Sequence, residues 1–291
     1  MATKKAASAK KSKSTTAKKQ TTTKVTTVKA AAATPKSSVA SSTKSKTLTM
    51  QNKSLITTAL IAEFIGTFIL AAVALSLQGN AFFMGFALVG IVLAIGALSG
   101  AHVNPLVTVG AWVTRKISGK RALGYVAAQV LGGMLALVVM TSYANLAGEP
   151  DPQAAMMGTQ QALFQVTQVN QDTQGIWHLF FAEMIGAIVF AFAFSAALRA
   201  RHDKTARALT IGLGFFIALA LAGGAAMFAQ AYAIINPALA LSLQAIEWPV
   251  KDIFAILVYI VSPILGGAIG FFLYDLLRGQ DTSPEDTAAV E

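Results

Sequence analysis

The sequence contains no cysteine, which excludes disulfides, thiolate metal sites and cysteine nucleophiles together and leaves no mark of the redox compartment. Charge is scarce. Asp, Glu, Lys and Arg make up 12% of the 291 residues, about half of what soluble domains carry. With 55% hydrophobic residues beside that shortage, one or two soluble domains are excluded. Histidine is rare too: His102, His178 and His202 stand alone, and no pair of carboxylates is poised for acid or base work, so no catalytic residue, metal site or cofactor is expected. Acid is missing altogether from residues 1–54, which hold 13 of the 23 basic residues. The other 10 face 13 acids, so the net charge of +10 belongs to the tail, and the body stands at minus 3.

Residues 1–54 mix Lys, Thr, Ser and Ala and have little to bury, so they are expected to form a disordered cytoplasmic tail. Lysine runs such as Lys10-Lys11 and Lys18-Lys19 suit contact with anionic lipid or nucleic acid, and equally suit a solvated tail that only helps fix topology. No apolar run follows the first charges as a secretory signal requires; a transit peptide stays open from the acid-free composition, although the tail has no arginine. Residues 279–291 read as a short cytoplasmic C-terminal tail.

Long apolar runs are what the chain has in abundance. Crossing a hydrocarbon core takes about 20 helical residues, and six stretches qualify: Leu55 to Leu77, Ala81 to Leu98, Ala122 to Met140, Ile176 to Leu198, Ala208 to Met227 and Ile253 to Tyr274. Two more, near Ala101 to Val113 and Ile234 to Ile246, are too short to span, and each contains Asn-Pro, at Asn104-Pro105 and Asn236-Pro237. Basic residues collect at 115–121 and 199–207, whereas the connection from Asn145 to Gly175 has none. Cytoplasmic loops gather Lys and Arg. Both termini and the two basic loops are therefore expected inside, in a bacterial inner membrane or a plasma membrane, with Lys251 as the one exception outside.

The two halves repeat. Ala62-Glu63-Phe64-Ile65-Gly66 returns as Ala182-Glu183-Met184-Ile185-Gly186, Tyr125 with Gly132-Gly133 returns as Tyr259 with Gly266-Gly267, and Asn104-Pro105 returns as Asn236-Pro237. Three spans per copy is an odd number, so the second copy enters from the opposite face and the repeat is inverted, with a site expected at the midplane. The predicted fold is an all-α membrane protein of six transmembrane helices plus two half-helices from re-entrant loops. Its channel domain covers 55–278, with repeat one at 55–145 and repeat two at 176–278.

Each short segment can dip halfway in and start a half-helix where its loop lines a wet cavity. Pro prefers the first helical position and Asn caps through its side-chain oxygen. That leaves the amide hydrogens of Asn104 and Asn236 free as donors in the pore. Two helix N-termini meeting at mid-membrane make a positive potential, which passes neutral hydrogen-bonding molecules and repels cations. Glu63 and Glu183 lie inside spans; they either hold backbone amides of the dipping loops or relay protons. His102 has two readings as well, a titratable gate or a group packed beneath the first half-helix.

These motifs resemble the aquaporin and glycerol-facilitator family, the major intrinsic proteins. The resemblance covers residues 55 to 278 and rests on the Ala62 to Phe68 segment, Ser99-Gly100-Ala101-His102-Val103-Asn104-Pro105, and Asn236-Pro237-Ala238. It implies a pore centre of Asn104, Pro105, Leu106, Asn236, Pro237 and Ala238 in each subunit of a homotetramer. Leu106 stands where the family has alanine. Leu239 stands where it has the arginine of the outer selectivity filter, and ungapped spacing puts Met84, Gly224 and Ala233 at the other filter positions, or Phe83 if the register of Met84 slips by one. Such a ring is wide and apolar and lacks a cation, so cation and proton exclusion is expected to rest on the asparagine pair and the half-helix dipoles. The expected function is passive passage of water and small neutral solutes of the glycerol, urea, ammonia or hydrogen peroxide type, with the lipid bilayer as partner. A strictly water-selective channel, a gated or coupled secondary transporter, and a membrane anchor for the tail are the alternatives.

Overall fold

The computed structural model describes residues 40–146, 153, 163–166, 173–200, 203–247 and 249–278. Two units, Met1–Ser45 and Lys46–Glu291, divide the chain. The second holds α1 (Ala40–Ser76) from Lys46 onward, α2 (Ala81–Ser99), the half-helix α3 (Pro105–Val113), α4 (Gly119–Leu146), α5 (Thr173–Ala197), α6 (Lys204–Met227), the half-helix α7 (Pro237–Ser242) and α8 (Ile253–Arg278). Six of them are long and apolar enough to cross a membrane, with α1 contributing Leu55–Ser76. The protein is an integral, multi-pass membrane protein.

Helix α1 begins at Ala40, inside the segment that composition reads as an unstructured tail. Once the apolar span has nucleated a helix, each added residue costs little, and Ala, Lys, Met and Gln are good helix formers. The rest of that tail, residues 1–39, lies outside the described residues, as do 279–291 and most of the connection from 145 to 175. Helix α4 also runs past its apolar core at both ends, from Gly119 to Leu146.

Side-chain caps set several helix starts. Asn80 Oδ1 accepts from Phe82 N at 3.0 Å, Asp203 Oδ1 from Ala206 N at 2.8 Å and Asp252 Oδ1 from Phe254 N at 2.8 Å. Gly100, with φ 97, closes α2 in the left-handed conformation that glycine adopts without strain. In α8, Pro263 lacks the N–H that would bond back to Tyr259, and the turn just before it, Leu257–Val261, widens to a π turn.

The paired glycines bind the two repeats into one bundle. A Cβ on Gly132 would lie 2.3 Å from Phe64 O, and one on Gly266 would lie 2.5 Å from Met184 O, so the first glycine of each pair brings the third span of a repeat onto its first. The second glycine faces the other repeat. A Cβ on Gly133 would meet Ala238 O of α7 at 3.1 Å, and one on Gly267 would meet Leu106 O of α3 at 2.5 Å. Small residues at these crossings let transmembrane backbones approach closely. Each half-helix is thus seated on a glycine of the opposite copy, at the centre of the bundle. Large side chains such as Ile61, Ile65, Leu131, Ile217 and Phe272 stay exposed on the outside, as a lipid-facing belt requires.

Candidate functional site

At the centre, two loops of the same design approach each other. Asn104 and Asn236 have extended backbones, φ −157 and −151, and Pro105 and Pro237 follow at the first helical position. Asn104 Oδ1 accepts from Leu106 N at 3.0 Å, and Asn236 Oδ1 accepts from Ala238 N at 3.1 Å and Leu239 N at 3.4 Å. The amide nitrogens reach across the repeat: Asn104 Nδ2 donates to Ile235 O at 2.9 Å, and Asn236 Nδ2 donates to Val103 O at 3.1 Å. A carboxamide has two N–H donors, so one per asparagine ties the opposite loop and one remains. The expectation that the cap leaves the amides wholly free is corrected in this respect.

The residues before the asparagines carry strain at matching positions. Val103 and Ile235 have φ of 40 and 44, left-handed values that β-branched residues rarely take. Carboxyl groups hold them there. Glu63 accepts from His102 N at 2.9 Å and Val103 N at 2.7 Å, and Glu183 accepts from Ile234 N at 2.5 Å and Ile235 N at 2.9 Å. Both glutamates are fully buried. His102 is buried beside α3, its Nδ1 3.2 Å from Thr108 Oγ1 and its ring edge-on to Tyr125 and Phe194.

Around Glu63 the first loop has support that sequence patterning did not find. Gln129 Nε2 donates to Glu63 Oε2 at 2.8 Å and to Thr108 Oγ1 at 2.9 Å. A glutamine in the middle of an apolar span was the available signal. At the end of the bundle where α2 finishes, Tyr125 OH donates to Ser99 O at 2.6 Å and accepts from Arg121 Nε and Nη2, while Arg207 Nη2 donates to Gly100 O at 3.1 Å. These contacts join residues as many as 107 positions apart, which charge counting does not reveal.

The opposite end holds the candidate outer ring. Met84 and Leu239 are buried and belong to one apolar cluster, with Ala233 packed against it. Gly224 lies in the last turn of α6. It is exposed, a Cβ on it would meet nothing, and it shares a stripe with the exposed Leu213, Ile217 and Leu221. The buried residues of that last turn are Ala222 and Ala226, and the Ala222 methyl packs on Gly186 of α5. Part of the outer connection also reaches this end: Phe164 N donates to Leu75 O at 2.9 Å, Val166 N donates to Leu243 O at 3.0 Å, and the buried Phe164 ring lies edge-on to Tyr232. No motif in that connection singled out Phe164.

Six spanning helices, two opposed half-helices and a paired-asparagine centre define a class of protein, the inverted-repeat membrane channel. The major intrinsic protein family profile matches residues 50–274, and the chain belongs to that family. It is 29% identical over 241 residues to aquaporin NIP3-1 of Arabidopsis thaliana, covering 77% of this chain and 68% of that protein. It is 28% identical over 237 residues to glycerol uptake facilitator protein-like 6 of Lactiplantibacillus plantarum, covering 76% of this chain and 98% of the relative. The fold matches the crystal structure of the aquaglyceroporin from Plasmodium falciparum with a TM-score of 0.58 at 20% identity, over 77% of this chain and 97% of that one. The relatives are channels and not enzymes, and this chain is a membrane channel for passive transport.

Proposed function

We propose that the channel passes water and small neutral solutes of the glycerol, urea, ammonia or hydrogen peroxide type, through one pore in each subunit of a homotetramer. The observation that carries this reading is the paired-asparagine centre. Asn104 and Asn236 each keep one N–H beyond the cross-loop bond, at the meeting point of two half-helix N-termini. A solute with a lone pair can accept from those donors, and a cation meets the positive potential of the two half-helix N-termini. Both buried glutamates spend their oxygens on loop amides. Pro105 and Pro237 hold the half-helix starts, and Leu106 and Ala238 lie at the seats on Gly267 and Gly133.

Breadth of selectivity follows from an outer ring of Met84, Gly224, Ala233 and Leu239. Gly224 adds no side chain and faces open space, so the mouth is apolar and not narrowed by a histidine or an arginine. The basic end, with Arg121 and Arg207, is placed in the cytoplasm together with both termini by the positive-inside rule, which suits a bacterial inner membrane or a plasma membrane. Stopped-flow light scattering on proteoliposomes tests the function. A sucrose gradient is expected to give fast shrinkage, and a glycerol gradient fast shrinkage followed by fast reswelling. Shrinkage without glycerol entry would replace the broad channel by a water-selective one.

A further inference from the structure

We infer that Arg207, aided by Arg121, forms the channel's cation barrier at the inner mouth, in place of the arginine that Leu239 displaces from the outer one. The inference rests on the channel reading above and names the group that sorts charge within it. Leu239 is buried and apolar, and Met84 and Ala233 add no charge, so the outer ring offers a cation no electrostatic resistance. At the other end two guanidinium groups flank the entrance of the first dipping loop. Arg207 Nη2 donates to Gly100 O at 3.1 Å, and Arg121 donates to Tyr125 OH, which itself donates to Ser99 O. Ser99 and Gly100 are the last residues before the loop runs to Asn104.

Neither guanidinium has a carboxylate partner among the described residues. The ion pairs found there are Lys116 with Asp275 and Lys251 with Glu247, so the neighbouring lysine is neutralised while the two arginines are not. Arg207 Nε is buried with no hydrogen-bond partner, which leaves a donor unused beside the loop. Arg121 also lies 5.1 Å from the centre of the Tyr125 ring, which holds its position without cancelling its charge. A fixed, unpaired guanidinium in a partly desolvated mouth raises the energy of an entering cation far more than a solvated surface charge does, and leaves neutral solutes unaffected.

Charge and hydrogen bonding can be separated by a set of variants. Arg207→Gln removes the charge and, ending where Nε stands, also gives up the Nη2 contact with Gly100 O, whereas Arg207→Lys keeps the charge on a shorter side chain and a Leu239→Arg addition restores charge without the contact. In proteoliposomes loaded with a pH-sensitive dye, proton and potassium leak per reconstituted channel is expected to rise about fivefold or more in Arg207→Gln and to stay within about twofold of the parent in Arg207→Lys. Adding Leu239→Arg to Arg207→Gln is expected to bring the leak back down, because the barrier is then restored at the other mouth. Equal leak in the parent and both variants would overturn the inference, and so would a leak raised equally by Gln and Lys, which would make the contact structural. If Arg207→Gln does not reconstitute, Arg121→Gln decides: it removes the second charge of the barrier and is expected to raise the potassium leak relative to glycerol flux, and an unchanged ratio counts against the barrier. A parent protein that passes neither water nor glycerol would instead refute the channel's proposed solutes, a result these leak ratios cannot mimic.

Discussion

The two halves of the molecule share their centre and differ around it. Both have a glutamate that accepts two consecutive loop amides, a left-handed β-branched residue, an Asn-Pro start and a glycine seat for the other half's short helix. Only the first half has Gln129, Thr108 and His102 around its carboxyl, with Tyr125 and Arg121 at the end of its loop, where Arg207 reaches across from the second half. In the second, the position matching Gln129 is Pro263, and Glu183 has no side-chain donor among the described residues; Tyr259 OH donates to Tyr232 O, and Ser262 Oγ donates to Phe180 O. The shared parts are what any pair of dipping loops needs to avoid orphaned backbone groups in lipid. The parts that differ are polar in one half and apolar in the other, which makes the two mouths of the pore chemically unlike.

The largest expected effect comes from removing a carboxyl clamp. Glu183→Ala strands the amides of Ile234 and Ile235, and at about 1–3 kcal/mol per unsatisfied buried group the loss is about 2–6 kcal/mol. Glu63→Ala is expected to cost more, because it also removes the carboxyl that accepts from Gln129 Nε2. Thermal unfolding in detergent checks the order; equal losses would mean that the polar surround of the first half contributes nothing. Next come the glycine seats. Gly267→Ala places a methyl 2.5 Å from Leu106 O, whereas Gly133→Ala places one 3.1 Å from Ala238 O. Overpacking costs about 1–3 kcal/mol, with Gly267→Ala at the upper end and Gly133→Ala below it, readable as loss of monodisperse protein after heating.

Leu239→Arg sharpens the contrast between the mouths. It is expected to cut glycerol flux severalfold while lowering water flux less, since a guanidinium at the outer ring narrows it and offers donors that water satisfies. Stopped-flow reswelling reads both; an equal fall in the two fluxes would mean a blocked pore and not a narrowed one. The smallest effect is expected from Gln129→Leu, which makes the first half resemble the second. It removes two hydrogen bonds but leaves both loop amides satisfied, at a cost of about 1–2 kcal/mol, with solute flux retained.

Much of this was legible in the sequence because a polar residue in an apolar span, or an apolar run too short to span, stands out locally. The six spans, the half-helices at Pro105 and Pro237 and the repeated Gly-Gly pairs are all features of that kind. The helix reaching back to Ala40 was missed because low apolar content says nothing of a helix that continues an existing one. The cross-loop bonds of Asn104 and Asn236, the Arg207 contact with Gly100 and the Phe164 strap join positions far apart in the chain, and no local pattern encodes a partner at that distance.

The central claim is that solutes cross passively at the asparagine pair, and labelled glycerol uptake into proteoliposomes tests it most directly. Uptake should level off at equal internal and external concentration, at an initial rate proportional to concentration and indifferent to imposed sodium or proton gradients. Accumulation above the external concentration, driven by either gradient, would contradict it.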